Sequence, residues 1–343
     1  MTPRRTPGTE RAARRVSAAV PPLRLLTVTW SGDLPHFRLQ QESLRHSALA
    51  DCPHQVVVQT EDAALFADTG GRAVQWHITA DVLPGDVDRR RRHARAVGER
   101  AGRTRTRLMG SLAARTGSWP RWVRYTGWHT QQLAKLAAAA ASDIDTVVVL
   151  DSDLLALPGA GIADFIDPDG RIVCFERWAP AESVRGKQAN WNAQARVLFG
   201  GAPAGHQDVS FDTPFVLHAP TVRAMLAALE RQSGRSWWDT LLSLPPRRWS
   251  EFAIYRRYLR NAVDPAGVAW RPDGLLRHIA DASDTDRLCD RVRGLMQDPE
   301  VHYVTIHSQS SGRGRWGTEH YASPIASLLR EGATAASSTP DGG

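Results

Sequence analysis

Asp151-Ser152-Asp153 stands directly behind Val147-Val148-Val149-Leu150, an unbroken apolar run. Such a run fits a central strand covered on both faces, and open α/β sheets bind ligands beyond the carboxyl ends of their strands. Two carboxylates at that end make a hard, anionic site suited to Mg²⁺ or Mn²⁺. Burying the pair without a cation would force one pKa upward, so the spacing points to a metal or to a fully solvated turn. Ser250-Glu251 opens a second chemically loaded stretch, ahead of Tyr255 and Tyr258. There Ser250 suits an N-cap and Glu251 suits the positive end of the helix dipole. Three further positions stand out at element ends: Asp212 in SFDTPF, His307 closing HYVTIH, and Thr29-Trp30-Ser31-Gly32-Asp33 closing LRLLTVTW.

The elements that must position these groups follow from periodicity. Leu23 to Trp30 reads as a buried strand, Phe37 to Leu49 as a helix, and QVVVQ at Gln55 to Gln59 as a second strand. A weaker strand at Ala73 to Ile78 comes after Gly70-Gly71. GWHTQQLAKLAAAAASDIDTVVVLDSD then predicts a helix, with Gln132, Leu133, Leu136 and Ala140 on one face, feeding the strand before Asp151. Further strands are expected at Arg171 to Phe175, Pro214 to His218 and His302 to His307. Helices are expected at Thr221 to Gln232 and from about Ser250. This alternation predicts an α/β fold with a mixed, mostly parallel central sheet flanked by helices. One domain over 23–330 is expected, between a disordered basic leader at 1–22 and a disordered polar tail at 331–343.

The chain has 343 residues and a formal charge of +7, with every basic residue except Lys135 and Lys187 an arginine. The excess alone suggests an anionic partner. No recognised nucleic-acid motif accompanies it, so nucleic acid is not the expected one. The arginines crowd into Arg89 to Arg124, interleaved with Leu108, Met109, Leu112, Trp119 and Trp122. This basic insertion, at about 85–125, reads either as a solvated, partly helical excursion or as a surface facing an anionic acceptor or a membrane headgroup layer. No apolar run approaches the about 20 residues that cross a bilayer. The leader lacks the hydrophobic middle of a signal peptide, so a cytoplasmic protein is expected, with peripheral membrane contact allowed by the insertion. Cys52, Cys174 and Cys289 are too scattered for a disulfide framework or a CxxC site and are expected as buried free thiols.

The block from Gly127 to Asp153 resembles the nucleotide-sugar glycosyltransferases of the GT-A fold, bacterial members of unassigned substrate especially. Their pattern is a Lys-Leu helix, a hydrophobic strand and DxD. The resemblance extends over Leu23 to Trp316, without a counterpart for the basic insertion. It implies that Asp153 ligates a divalent ion bridging the donor's two phosphates, and that Asp151 touches the ribose or the metal. Lys135 would lie near the donor sugar or phosphates, and His307 would complete the metal shell from another strand. Arg313 and Arg315, arginines where lysine is usual, would clamp the pyrophosphate, a task suited to guanidinium geometry. The first strand end, with Thr29, Trp30 and Asp33, would hold base and ribose. Glu251 would face the acceptor hydroxyl, as general base if the reaction inverts, with Asp212 as the second candidate. Trp178, Trp191 and Trp249 are candidate sugar platforms, although core packing is the commoner fate of tryptophan.

The function so implied is metal-dependent transfer of a sugar, of the hexosyltransferase type, from a nucleoside-diphosphate sugar to a saccharide, lipid-linked or small-molecule hydroxyl. Two other readings stay open on the residues alone. One is a nucleotidyltransferase or phosphotransferase using the same DxD metal logic. The other is a non-catalytic module presenting the basic insertion to a polyanion or membrane surface.

Overall fold

Why the first strand sits at the centre is visible in its side chains: Leu23–Thr29 (β1) is buried along almost its whole length. A computed structural model describes residues 23–69, 71, 73–116, 121–201, 205–262, 267–280, 284–307 and 317–338. After β1 come helix α1 (Leu34–Arg45), β2 (His54–Val58), the short helix α2 (Ala63–Phe66) and β3 (Val74–Ile78). Then follow the short α3 (Thr79–Val82), the long α4 (Gly85–Thr116), α5 (Gly127–Ala141) and β4 (Thr146–Val149). The remaining strands are β5 (Leu154–Ala156), β6 (Ile172–Glu176), β7 (Trp178–Pro180), β8 (His206–Asp208), β9 (Phe215–His218), β10 (Val268–Pro272), β11 (Leu276–Ile279) and β12 (Tyr303–Ile306). Among them lie α6 (Gly186–Phe199), α7 (Ala219–Ser233), α8 (Trp237–Ser243), α9 (Glu251–Ala262) and α10 (Thr285–Met296), with α11 (Ala322–Ser338) at the end.

The central sheet has the order β3-β2-β1-β4-β9. Its first four strands are parallel and β9 runs antiparallel to β4. This is the expected mixed, mostly parallel sheet. Its order has one mechanical consequence. The chain builds outward from β1 through β2 to β3, then returns to place β4 on the other side of β1. Between β1 and β4, successive connections leave on opposite sides, and a crevice opens beyond the carboxyl ends of the strands. Asp151-Ser152-Asp153 follows β4 into that crevice.

Alanine-rich α5 packs against β1 and α7, and its small side chains let the helix approach the sheet closely. Leu133, Leu136, Val147, Val148, Val149 and Leu150 join the main core. A smaller core forms around a second sheet, β11-β12-β5, covered by α10 and α11. β12 is parallel to β11 and antiparallel to β5, so the end of β12 meets the beginning of β5. That junction carries His307 back to the DxD turn.

Several expectations change on contact with the fold. Trp249 is fully buried against Trp128 and His129 and is core, not a sugar platform. Trp191 stacks on Trp128, while Trp178 is exposed but lies under the Arg260 guanidinium. α11 continues to Ser338, so the described part of the stretch after Glu331 is helical where a tail without periodicity is expected. At the beginning of the basic stretch Arg91 is buried and pairs with Asp88 and Glu61, while Arg89, Arg90 and Arg92 are exposed. The leader at 1–22 and the residues Arg313 and Arg315 lie outside the described residues. Cys52 and Cys174 are buried free thiols, and Cys289 is partly exposed. No helix among the described residues is long and apolar enough to cross a membrane.

Candidate functional site

The DxD turn is fixed from four sides, chiefly through its backbone. From α1, Gln40 donates its side-chain N–H to the Asp151 carbonyl at 2.6 Å, and the same side chain accepts from Thr27 of β1 at 3.3 Å. The Asp151 N–H donates to the Thr213 hydroxyl at 3.3 Å, and the Ser152 hydroxyl donates to that of Thr29 at 3.0 Å. The Ile306 N–H donates to the Asp153 carbonyl at 3.1 Å. Buried polar groups must be hydrogen-bonded, so this lattice of contacts restricts the turn to one conformation. It also sets Asp153 and His307 at adjoining strand ends and brings the loop carrying Asp212 beside Asp151.

Lys135 occupies the centre of the arrangement. Its Nζ lies 2.8 Å from Asp151 Oδ1 and 3.3 Å from Glu251 Oε1, over the Phe252 ring at 4.8 Å. Burial alone would lower the pKa of this ammonium, but the Asp151 and Glu251 carboxylates outweigh that effect and hold it above the ordinary lysine value. For Glu251 burial is the largest influence and raises its pKa, against the opposing pull of Lys135 and with Asp151 adding to the rise. Glu251 is also held as a helix start. Its N–H donates to Gln132 at 3.0 Å, and the Ser250 hydroxyl accepts from Phe252 N–H at 3.2 Å, the expected N-cap.

The two acceptor-side candidates differ in access. The Glu251 side chain is 5% exposed and that of Asp212 is 44% exposed. Asp212 lies 3.4 Å from His278 Nε2 and 4.0 Å from Arg177. The contact with Asp212 raises the His278 pKa, against partial burial. His278 in turn stacks face to face with His307 at 5.1 Å. His278 is invisible to the sequence reading because nothing in Leu276 to Ile279 marks it as a strand whose end reaches the DxD turn.

A cleft of about 820 Å³ opens beyond the ends of β1, β2 and β3, and none of Lys135, Asp151, Glu251, Asp212, His278 or His307 lines it. The ends of β1, β2 and β3 form one wall, with Thr29, Trp30, Asp33, Gln59 and Thr79. α4 forms a second wall through Arg91, Arg95 and Glu99, and the N-terminal turn of α5 a third. Thr29 joins the cleft to the DxD turn through Ser152. Trp30 is exposed at the mouth, its indole N–H donating to Asp33 at 2.8 Å. Arg95 bridges α4 to Asp62 at 2.9 Å, and Asp62 accepts from the Ser31 N–H at 2.8 Å. These arginines, read from sequence as surface charge, therefore build the cleft wall. Of the acids that engage them, Asp88 and Glu99 are near in the sequence and Glu61 and Asp62 are far.

Among the described residues no three His, Cys, Asp or Glu side chains converge as a ready-made metal cage. One Asp151 oxygen already faces Lys135. What the described residues place at adjoining strand ends is Asp153 and His307. Such a pair suits Mg²⁺ or Mn²⁺, which usually take one or two protein ligands and complete their shell with phosphate and water.

A family model described as a family of unknown function, DUF6492, matches residues 14–263. Among curated proteins none matches. Among solved structures, the crystal structure of the galactosyltransferase LgtC in complex with donor and acceptor sugar analogs is similar at 12% identity, covering 89% of this chain and 96% of its own, with a TM-score of 0.36. An active-site mutant of LgtC is similar at 13% identity over 89% of this chain and 96% of its own, with a TM-score of 0.39.

Proposed function

This chain belongs to the DUF6492 family of unknown function, and from that premise we propose that it is a glycosyltransferase, moving a sugar from a nucleoside-diphosphate sugar to an acceptor hydroxyl. The observation that carries the reading is the cleft beyond the ends of β1, β2 and β3, which Thr29 lines and joins, through its hydrogen bond to Ser152, to the DxD turn and its Asp151–Lys135–Glu251 set. A nucleoside fits its wall of Trp30, Asp33 and Gln59, with an indole for stacking and polar groups for ribose and base. The diphosphate would run past the N-terminal turn of α5, where the helix dipole favours negative charge. The sugar would then lie at Asp151 and Lys135.

Bond making and breaking would occur beside that pair. The acceptor oxygen attacks the anomeric carbon, the bond to the diphosphate breaks, and the hydroxyl proton goes to a nearby base. Asp212, 44% exposed and paired with His278, is the better placed of the two carboxylates to receive it. Buried Glu251 positions the Lys135 ammonium. A divalent ion held by Asp153 and His307 would supply charge neutralisation for the departing diphosphate. Hexosyl donors are the expected class, with Arg313 and Arg315 assigned to the pyrophosphate on the resemblance alone.

Product analysis tests the reading. Incubation with nucleotide sugars and Mn²⁺ should yield nucleoside diphosphate and free or transferred sugar. Release of pyrophosphate from nucleoside triphosphates, with no sugar released, would instead identify a nucleotidyltransferase.

A further inference from the structure

Two glutamine side chains in the cleft are each held in a single orientation by partners that leave no choice. Gln59, at the end of β2, accepts on its Oε1 from Arg91 at 3.2 Å and from Arg95 at 2.7 Å. A guanidinium only donates, so the amide oxygen must face the arginines and the NH₂ must face away from them. Both arginines are fixed in turn, Arg91 by Asp88 and Glu61, Arg95 by Asp62 and Glu99. Gln131, on α5, shows the opposite polarity. Its Nε2 donates to the Val28 carbonyl at 2.9 Å. A carbonyl only accepts, so the Oε1 of Gln131 is the atom turned outward. Both residues line the same cleft.

We propose that Gln59 and Gln131 read the nucleobase, selecting a base edge on which a carbonyl oxygen adjoins a ring N–H. Uracil and guanine carry that edge. Gln59 donates to the carbonyl and Gln131 accepts from the ring N–H. Cytosine and adenine reverse both polarities, placing an amino group against a donor and a bare ring nitrogen against an acceptor. A site built to pair a polar group rejects the partner that leaves it unpaired more strongly than it rejects a change of size. The arginine clamp supplies the rigidity this needs, since a freely rotating amide would accept either edge. The proposal rests on the donor reading above and adds the class of nucleotide to it.

Calorimetric titration of the full chain with UDP, GDP, CDP and ADP in Mn²⁺ buffer tests it. UDP or GDP should bind at least about tenfold more tightly than CDP and ADP, the scale of one unpaired buried group. Gln59→Glu keeps an oxygen on the arginines and turns a second oxygen into the cleft. It should weaken the preferred nucleotide about tenfold and narrow or invert its advantage over CDP, with the melting temperature reporting that the fold is kept. Gln131→Leu, on a different element, should lower the same preference. Equal affinity for all four nucleotides, or an unchanged ranking in folded Gln59→Glu, would overturn base reading alone. Binding of none would overturn the donor reading, and this inference with it.

Discussion

Lys135 Nζ and Asp151 Oδ1 are 2.8 Å apart, the lysine buried and the aspartate half open to the crevice. One ammonium thus serves two carboxylates, Asp151 and Glu251, from a helix that precedes the DxD strand. Breaking a buried ion pair by removing one partner costs about 3–5 kcal/mol, because the other charge is left uncompensated. Lys135→Met should therefore lower stability by that order in urea denaturation. Adding Glu251→Gln in the same chain should recover part of the loss. Full stability of the single variant would mean that the buried charges are not coupled as placed.

Exposure separates the two candidate carboxylates, Asp212 at 44% and Glu251 at 5%, and on the proposed function it separates their roles. Asp212→Asn should lower the rate of sugar release by about 10²–10⁴, the usual scale of general base catalysis, with little change in melting temperature. Glu251→Gln should chiefly move the melting temperature. Observation of the reverse pattern would return Glu251 to the role of base.

Histidine burial gives the protein an acid limit. Burial depresses the pKa of His54 to about 3. His129 is depressed to about 4, by burial first and then by Arg247 and Arg124. An unfolded chain takes up protons at these sites below its ordinary histidine pKa of about 6.5, while the native state refuses them. Stability therefore rises with pH through this window and falls as pH drops toward the two depressed values. At pH 5 each site should cost about 2 kcal/mol relative to neutral pH. A scan of melting temperature from pH 7 to pH 4.5 should show the decline, and His54→Gln should flatten it.

Divalent ion binding is expected to need the substrate's own oxygens. Mn²⁺ should raise the melting temperature much more with a nucleoside diphosphate present than without, since a ligand confined to the native state stabilises it. Asp153→Ala should abolish that increment and His307→Ala should reduce it. An increment retained in both variants would place the ion elsewhere.

How much of this was legible before folding depends on where the information lies. Val147 to Leu150 and the alanines of α5 declare themselves locally, because a buried parallel strand and a close-packed helix each leave a composition and a period. The DxD turn was legible as the end of such a strand for the same reason. The short strands β5, β7, β8, β10 and β11 were not. Three to five residues paired by tertiary contact carry no period of their own. Lys135 could be singled out by its rarity, yet its link to Glu251 joins residues of two helices distant in sequence. The basic stretch hides its buried members for a related reason. Arg91 and Arg95 look like surface charge until Glu61, Asp62 and Gln59 are brought beneath them. Gln59 carried only a faint signal, a polar residue closing an apolar strand.

The most direct measurement is calorimetric titration of nucleoside-diphosphate sugars into the wild-type chain and into Asp151→Asn, with Mn²⁺ present. Saturable binding of at least one such sugar by the wild type, weakened tenfold or more in the variant, is the predicted result. Binding of no nucleotide sugar, or the same affinity in both proteins, would contradict the assignment of this crevice to an activated sugar.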